Sequence, residues 1–265
     1  MNDCPIGIFD SGVGGLSVFS EVLNVLPNEN YIYYGDTAHL PYGTKSKEEL
    51  IEISRDIFDF FKSRNAKAVI MACNTTSAVA YDSLKDSYDF KIYPVVQSVS
   101  SCIANEGYKK IGVLATNATV NSHAYKNEIQ KYNNGIEVFE VACPEWVSIV
   151  ENSTMYEFSS IGNIRLYFNR VMENSPEKII LGCTHYPYLK EILTRFAPED
   201  MFINPATYLA QYIAEDLAKD DMLNVQMDYD PKFYVSADPE HFKKASKLFY
   251  QVDYAEEMPL IKEEV

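Results

Sequence analysis

One short pattern occurs twice in the sequence and restricts the folds that this chain can adopt. In each copy, an apolar run leads through a small residue into a cysteine, which hydroxyl or amide residues follow. The copies are residues 69–76 (VIMACNTT) and residues 179–186 (IILGCTHY). Short β-branched runs without polar interruption are typical of strands buried on both faces of a parallel sheet. The pattern therefore predicts two equivalent parallel strands, each ending near a cysteine.

Both cysteines, Cys73 and Cys183, are predicted to lie at the edge of a sheet where ligands bind. In open parallel sheets, ligands bind at the carboxyl ends of the strands, where the following helices direct free N–H groups and the positive ends of their dipoles. Such a position favours the thiolate form of a cysteine. We therefore expect a pair of reactive thiols. The alternative is that both are ordinary buried cysteines, which are common in protein cores.

A second similarity relates the two halves of the chain. Residues 6–11 (IGIFDS) and 111–116 (IGVLAT) agree in residue type at every position except Asp10. Together with the cysteine repeat, this similarity predicts an α/β fold of two pseudo-symmetric lobes, each a mostly parallel sheet flanked by helices, with the active site in the cleft between them. The predicted first lobe comprises residues 1–97 and 207–265, ending in a solvated acidic tail, and the second lobe comprises residues 98–206.

Local patterns predict the other elements of both lobes. Residues Ser46 and Glu49 have the spacing of a capping box, which marks the start of a helix. The periodicity of apolar residues and the positions of turn residues indicate where the remaining strands and helices begin and end. We predict strands at 31–35, 92–96, 137–142, 201–204 and 232–235, and helices at 16–26, 46–63, 74–86 and 207–219, with one ending near 174 and one beginning at 238–239.

The glycine-rich turn at residues 10–15 (DSGVGG) raises the alternative of a nucleotide-binding protein. Gly12-x-Gly14 follows a predicted strand, and Asp36 ends the next one, as in dinucleotide-binding folds. However, Ser17 stands near the place of the third glycine, and Asp10 would put a carboxylate beside the pyrophosphate. These departures make this the weaker interpretation.

Composition excludes several classes of partner. A net charge of -15 and a pI near 4.7 argue against a nucleic-acid partner, which requires a basic surface. No stretch approaches the roughly 20 apolar residues of a membrane span, and the N-terminus does not resemble a secretory signal, so we expect a cytoplasmic protein without a membrane partner. The five cysteines contain no C-x-x-C spacing, which indicates neither a disulfide framework nor a metal site.

Two thiols that face each other across a cleft suit the inversion of a carbon centre. One thiolate removes a proton from one face, and the opposing thiol returns a proton to the other. A proton next to a carboxylate is weakly acidic, so the cleft has to exclude water and supply fixed donors, for which Asn74, Thr75 and Thr184 are candidates.

Each thiol also needs a partner that adjusts its protonation. Asp10 and His185 are the ionisable candidates nearest to the two sites. Asp10 could instead cap the following helix, and His185 could be a structural histidine.

Five segments of the chain resemble the glutamate racemases of the cofactor-independent aspartate/glutamate racemase family. These segments are residues 7–16 (GIFDSGVGGL), 34–38 (YGDTA), 41–43 (PYG), 72–75 (ACNT) and 182–187 (GCTHYP). The resemblance implies an isomerase that interconverts L- and D-glutamate without a cofactor or metal. It also implies a cytoplasmic enzyme, often a homodimer, that supplies D-glutamate for peptidoglycan and hence for cell-wall biogenesis and cell shape.

The same resemblance assigns roles to individual residues. It implies that Cys73 and Cys183 are the catalytic pair and that Asp10, His185 and Glu151 assist them, although Glu151 could simply lie in a solvated helical turn. Three positions depart from the family pattern, with His39 in place of arginine, Ser148 in place of proline, and Asn204 in an altered turn. The implied substrate-binding residues are Asp10, Ser11, Pro41, Tyr42, Gly43, Asn74, Thr75, Thr116, Thr119, Thr184 and His185.

Other functions remain as alternatives at this point. The nearest is a racemase for aspartate or a hydantoin on the same two-cysteine scaffold. A nucleotide-binding or interaction protein with structural cysteines is the alternative from another class. A cysteine phosphatase is disfavoured because no arginine follows either cysteine to hold a phosphate, and no lysine stands at either site to bind pyridoxal phosphate.

Overall fold

The computed structural model describes residues 2–260, which form two parallel β-sheets flanked by helices. This architecture confirms the predicted α/β class; the predicted acidic tail at 262–265 lies outside the described residues. The strands are β1 (Ile6–Asp10), β2 (Tyr31–Gly35), β3 (Ala68–Met71), β4 (Lys91–Pro94), β5 (Lys110–Ala115), β6 (Glu137–Ala142), β7 (Lys178–Gly182), β8 (Phe202–Ile203), β9 (Lys232–Val235) and β10 (Glu256–Glu257).

Helices connect the strands and cover both faces of the sheets. Short 3₁₀ helices at Thr37–His39, Tyr42–Thr44, Tyr186–Leu189 and Glu199–Met201 complete the connections. The α-helices are α1 (Leu16–Val25), α2 (Lys47–Ser63), α3 (Asn74–Leu84), α4 (Val95–Ile103), α5 (Asn117–Ser122), α6 (Ala124–Tyr132), α7 (Trp146–Glu151), α8 (Phe158–Met172), α9 (Lys190–Leu193), α10 (Pro205–Lys219) and α11 (Pro239–Ser246).

Four strands of the first sheet, β2-β1-β3-β4, have the same order as the four strands of the second, β6-β5-β7-β8, which agrees with the predicted pseudo-symmetry. The first lobe contains a six-stranded sheet in the order β10-β9-β2-β1-β3-β4, and the second lobe a four-stranded sheet in the order β6-β5-β7-β8. All neighbouring strands are parallel. The central strands β1 and β5 are therefore equivalent, as are β3 and β7, which precede the two cysteines.

Each central strand contains a glycine, and close packing of a helix explains why both lobes have one at this position. A Cβ atom on Gly7 would lie 2.5 Å from the ring of Phe61, in the helix that follows β2. A Cβ atom on Gly112 would lie 2.5 Å from Val171, in the long helix that follows β6. Each helix approaches its central strand too closely for any side chain, so the same packing contact is built twice.

The hydrophobic core is continuous between the lobes. One cluster of buried residues contains side chains of both sheets, including Ile8 of β1 and Val113 of β5, while two further clusters belong to one lobe each. Helix α4 leads from the first sheet to the second and packs against α6 and α10. The predicted lobe boundaries near residues 97 and 206 remain a prediction. Within residues 2–260, every helix is too short or too polar to span a bilayer.

The predicted capping box is confirmed, whereas one predicted strand is too long. The Ser46 hydroxyl accepts the N–H of Glu49 at 3.2 Å, and the Glu49 carboxylate accepts the N–H of Ser46 at 2.8 Å. Val95 and Val96, predicted at the end of a strand, instead begin α4. Pro94 is the last residue of β4 and precedes this helix in an extended conformation. Proline lacks the N–H that strand pairing uses, so a strand tends to end there.

Candidate active site

The two cysteines lie at equivalent positions in the two lobes. Cys73 is the N-cap residue of α3 and lies two residues after the end of β3, and Cys183 directly follows β7. Both side chains are buried, with 6% and 7% of each residue exposed. They are close enough for a negative charge on Cys183 to raise the pKa of Cys73. The equivalence of β3 and β7 therefore brings one thiol from each lobe to the same region.

The surroundings of Cys73 oppose the expected thiolate form. Burial raises the pKa of this thiol to about 12, and the Asp10 carboxylate acts in the same direction. The N–H and hydroxyl of Thr76 lower it by a smaller amount. This direction contradicts the prediction of a thiolate here, because loss of solvation and a nearby negative charge both disfavour the charged form of the thiol.

Cys183 lies next to a histidine and a glutamate that form a hydrogen-bonded relay. The Cys183 Sγ atom is 3.8 Å from His185 Nδ1, and His185 Nε2 is 2.9 Å from Glu151 Oε1. Burial alone would lower the pKa of His185, but its hydrogen bonds to Cys183 and Glu151 raise it to about 10. These contacts therefore favour the imidazolium form of the ring. Glu151 is the last residue of α7 and is exposed, as expected for a helical turn in contact with solvent, but its carboxylate also contacts this ring.

Asp10, the last residue of β1, links the two lobes through its buried carboxyl group. Its Oδ2 accepts the N–H of Gly12 at 3.2 Å, and its Oδ1 is 3.4 Å from the hydroxyl of Thr184 in the second lobe. Burial raises the pKa of Asp10, whereas the positive charge of His185 and these donors oppose that rise. Gly15, rather than Asp10, is the N-cap residue of α1. Asp10 therefore connects the first central strand to the second cysteine loop.

The glycine-rich turn makes room for the histidine of the opposite lobe. A Cβ atom on Gly14 would lie 2.4 Å from Cε1 of His185 and 2.5 Å from the hydroxyl of Thr184. The Ser17 hydroxyl donates to the Thr184 carbonyl at 3.0 Å. The space that a dinucleotide-binding turn keeps for a pyrophosphate is thus occupied by protein side chains, which contradicts the nucleotide-binding alternative.

Hydroxyl and amide groups form two further links between the lobes. The hydroxyl of Thr75 is 3.0 Å from that of Thr116, which is 3.1 Å from that of Thr119. The Tyr125 hydroxyl donates to Asn74 Oδ1 at 2.7 Å. These contacts bring four of the predicted binding residues together beside Cys73.

The loop after β2 lies near the same threonine residues of the site. The buried carboxylate of Asp36 accepts the Tyr42 hydroxyl at 2.6 Å and lies 2.8 Å from His39 Nδ1. A Cβ atom on Gly43 would lie 3.7 Å from Thr116, so this loop faces the second lobe. Ser11 is buried in the glycine-rich turn, whereas Pro41 is exposed.

The residues that contact the proposed site include Ser17 and Tyr125, which the sequence did not indicate. In the sequence, Ser17 was noted only because it stands where a dinucleotide-binding motif would have its third glycine, and no other feature of the sequence singles it out. Tyr125 lies on α6, a helix that the sequence did not indicate. Of the departures from the family pattern, Ser148 accepts the amide of Asn152 in the Glu151 segment, and Asn204 caps α10 by accepting the N–H of Ala206.

Comparisons with known proteins agree with this fold. The Asp/Glu/Hydantoin racemase family profile matches residues 6–213. Glutamate racemase of Carboxydothermus hydrogenoformans is 37% identical over 257 residues, covering 96% of each chain. The crystal structure of glutamate racemase from Francisella tularensis in complex with D-glutamate has a TM-score of 0.91 and 32% identity, covering 98% of this chain and 99% of its own. A Bacillus anthracis glutamate racemase structure has a TM-score of 0.92 and 27% identity over the same shares.

Fold and geometry define an α/β protein of two pseudo-symmetric lobes that brings together one buried thiol from each lobe. The family profile matches most of the chain, and the relative that is 37% identical is matched along nearly its whole length, which together establish the family. The chain belongs to the Asp/Glu/Hydantoin racemase family, and it is an isomerase.

Proposed function

We propose that this protein interconverts L- and D-glutamate without a cofactor, using Cys73 and Cys183 as opposed acid and base. The observation that carries the proposal is the pair of buried thiols at equivalent strand ends of two pseudo-symmetric lobes. Two related lobes provide the two faces of attack that an inversion needs. The relatives at 37% identity are named glutamate racemases, which favours glutamate over aspartate or a hydantoin as the substrate.

The reaction moves one proton on each face of the α-carbon. In one direction, the thiolate of one cysteine removes the α-proton, and the thiol of the other cysteine donates a proton to the opposite face. The two cysteines exchange roles in the reverse direction. Asp10 is the ionisable neighbour of Cys73, and the His185 imidazolium is that of Cys183, held by Glu151. Each thiol therefore has a partner that can exchange or balance its proton.

The surroundings of the thiols suit a substrate that carries two carboxylates. Helix α3 begins at Asn74, and the positive end of a helix dipole favours an anion. The His185 imidazolium adds a positive charge in a protein whose net charge is -15. Hydroxyl groups of Thr75, Thr116 and Thr184 supply fixed donors for the charge that develops when the α-proton leaves.

The wider role rests on the family resemblance. We propose a cytoplasmic homodimer that supplies D-glutamate for peptidoglycan. Sedimentation of the purified protein tests the dimer, and D-glutamate auxotrophy on depletion of the protein tests the supply to the cell wall.

The decisive experiment follows optical rotation and α-deuterium uptake of D-glutamate with no added cofactor. Wild type should racemise glutamate, and Cys73→Ser and Cys183→Ser should each reduce kcat by about 10³-fold, because a positioned acid or base contributes that order of rate. Cys102→Ser is the matched control, since Cys102 is a half-buried thiol on α4 outside the site, and should keep wild-type activity.

The outcomes separate the alternatives. Racemisation of aspartate but not glutamate would keep the two-thiol mechanism and change the substrate. Full activity in both serine variants would return the cysteines to a structural role.

A further inference from the structure

Phe249 has a position in the core that no role assigned above explains. It follows α11, in the chain segment that returns to the first lobe. Its ring packs against the cluster shared by the two sheets and also against the cluster that belongs to the second lobe. The backbone N–H groups of Phe249 and Tyr250 both donate to the carbonyl of buried Ser246, at 2.8 and 2.9 Å, which fixes this turn.

The second-lobe residues that Phe249 contacts include the histidine of the proposed relay. Its ring centroid lies 5.6 Å from that of His185, with the ring planes at 81°. It also lies 4.2 Å from the ring of Tyr188, in the turn that follows the histidine. Edge-to-face pairs of this kind have a preferred geometry, so they resist rotation of either ring.

The orientation of the His185 ring matters because both of its nitrogens are in use. Nδ1 faces the Cys183 sulfur at 3.8 Å while Nε2 faces Glu151 at 2.9 Å, so a rotation that improves one contact weakens the other. Gly14 restricts the ring near Cε1, where a Cβ atom would lie 2.4 Å away. Phe249 supplies a second restraint, and both belong to segments outside the second lobe's sheet.

We propose that Phe249 is a positioning residue for His185, the partner of the proposed base Cys183. It holds the His185 ring in line with Cys183 and Glu151, so the C-terminal segment of the first lobe completes the relay of the second. This inference rests on the proposed function. It assigns Phe249 an effect on proton transfer at Cys183, because the His185 ring that Phe249 contacts lies 3.8 Å from the Cys183 sulfur.

The test compares Phe249→Leu with Tyr250→Leu. Tyr250 is the matched control because it is an aromatic residue of the same turn, but its rings in contact are Phe19 and Phe233 of the first lobe. Loss of an edge-to-face contact that is needed in the transition state should lower kcat/KM by up to about tenfold in Phe249→Leu. Both directions must fall equally, because the two enantiomers have the same free energy.

Isotope effects identify the thiol that is affected. With α-deuterated glutamate, Phe249→Leu should increase the substrate isotope effect on kcat/KM for the enantiomer whose proton Cys183 removes, and decrease it for the other. His185→Asn identifies that enantiomer, because it weakens the same step. Tyr250→Leu should leave both isotope effects at their wild-type values.

Isotope effects that stay at wild-type values for both enantiomers in Phe249→Leu would overturn the proposal, whatever the loss of rate. Phe249→Met, which conserves volume, gives the same decision if the leucine variant folds poorly. Failure of wild type to racemise glutamate would instead refute the proposed function, so the two failures can be told apart.

Discussion

The two thiols have equivalent places in the fold but different surroundings. Cys73 begins an 11-residue helix, and its charged neighbour is the carboxyl group of Asp10. Cys183 precedes a four-residue 3₁₀ helix, and its charged neighbour is the His185 imidazolium. The backbone of the lobes is repeated, whereas the electrostatic environment of the thiols is not.

This difference indicates how a symmetric scaffold can serve an asymmetric substrate. The α-carbon of an amino acid presents its substituents in opposite order to the two sides, so the two thiols meet different arrangements of groups. A carboxyl group beside one thiol and a cation beside the other provide distinct partners for the two faces. The cation is itself restrained by the first lobe, since Gly14 and Phe249 both contact the His185 ring.

The largest effect is expected from a substitution that disturbs the contact between the glycine-rich turn and His185. Gly14→Ala places a methyl group 2.4 Å from His185, so either the turn or the ring has to move. We expect kcat/KM to fall by about 10²-fold, as for an ångström-scale misplacement of a catalytic group. Gly12→Ala is the control, because its Cβ would meet only the flexible Leu40 side chain at 3.4 Å. Equal loss in both variants would refute the specific contact with His185.

A smaller effect is expected in the pH dependence of kcat/KM, which distinguishes the Cys183 side of the site from the Cys73 side. The pKa of His185 is raised to about 10, so its imidazolium is present below that pH and is lost as the pH rises through it. We expect kcat/KM to fall by about tenfold per pH unit above this point. The pH profile of His185→Asn should lack this alkaline fall. A variant profile that still fell near pH 10 would assign the titration to another group.

The smallest effect concerns the link between the lobes beside Cys73. Tyr125→Phe removes the donor to Asn74 Oδ1, which should cost about 1 kcal/mol of unfolding free energy. Because Asn74 is a proposed substrate contact, KM should also rise by a few-fold. Tyr31→Phe removes a comparable bond, to the Leu26 carbonyl within the first lobe, and should lower stability without changing KM. A similar rise of KM in both variants would show that Asn74 is not specifically affected.

Much of the fold could be predicted because buried strands have a strong local signal. The bounds predicted from the apolar runs of β2, β6 and β9 are those observed. Helices α5 and α6 were not predicted, since residues 117–132 mix polar and apolar residues without a clear start or stop. The strand ending at Pro94 was extended too far, because valines suit a strand locally but here they begin a helix that crosses to the second lobe.

The sequence by itself determined the fold class, the equivalent positions of the two cysteines after buried strands, and the resemblance that suggested the other proposed site residues. It could do so because similar residue types occur at equivalent strand ends of the two lobes. Only the tertiary structure decided which side chains meet. Glu151 and His185 lie 34 positions apart, Asp10 and Thr184 lie 174 apart, and Phe249 reaches His185 from the end of the chain. The resulting pKa directions depend on burial and on charges from distant segments, and neither is a property of local sequence.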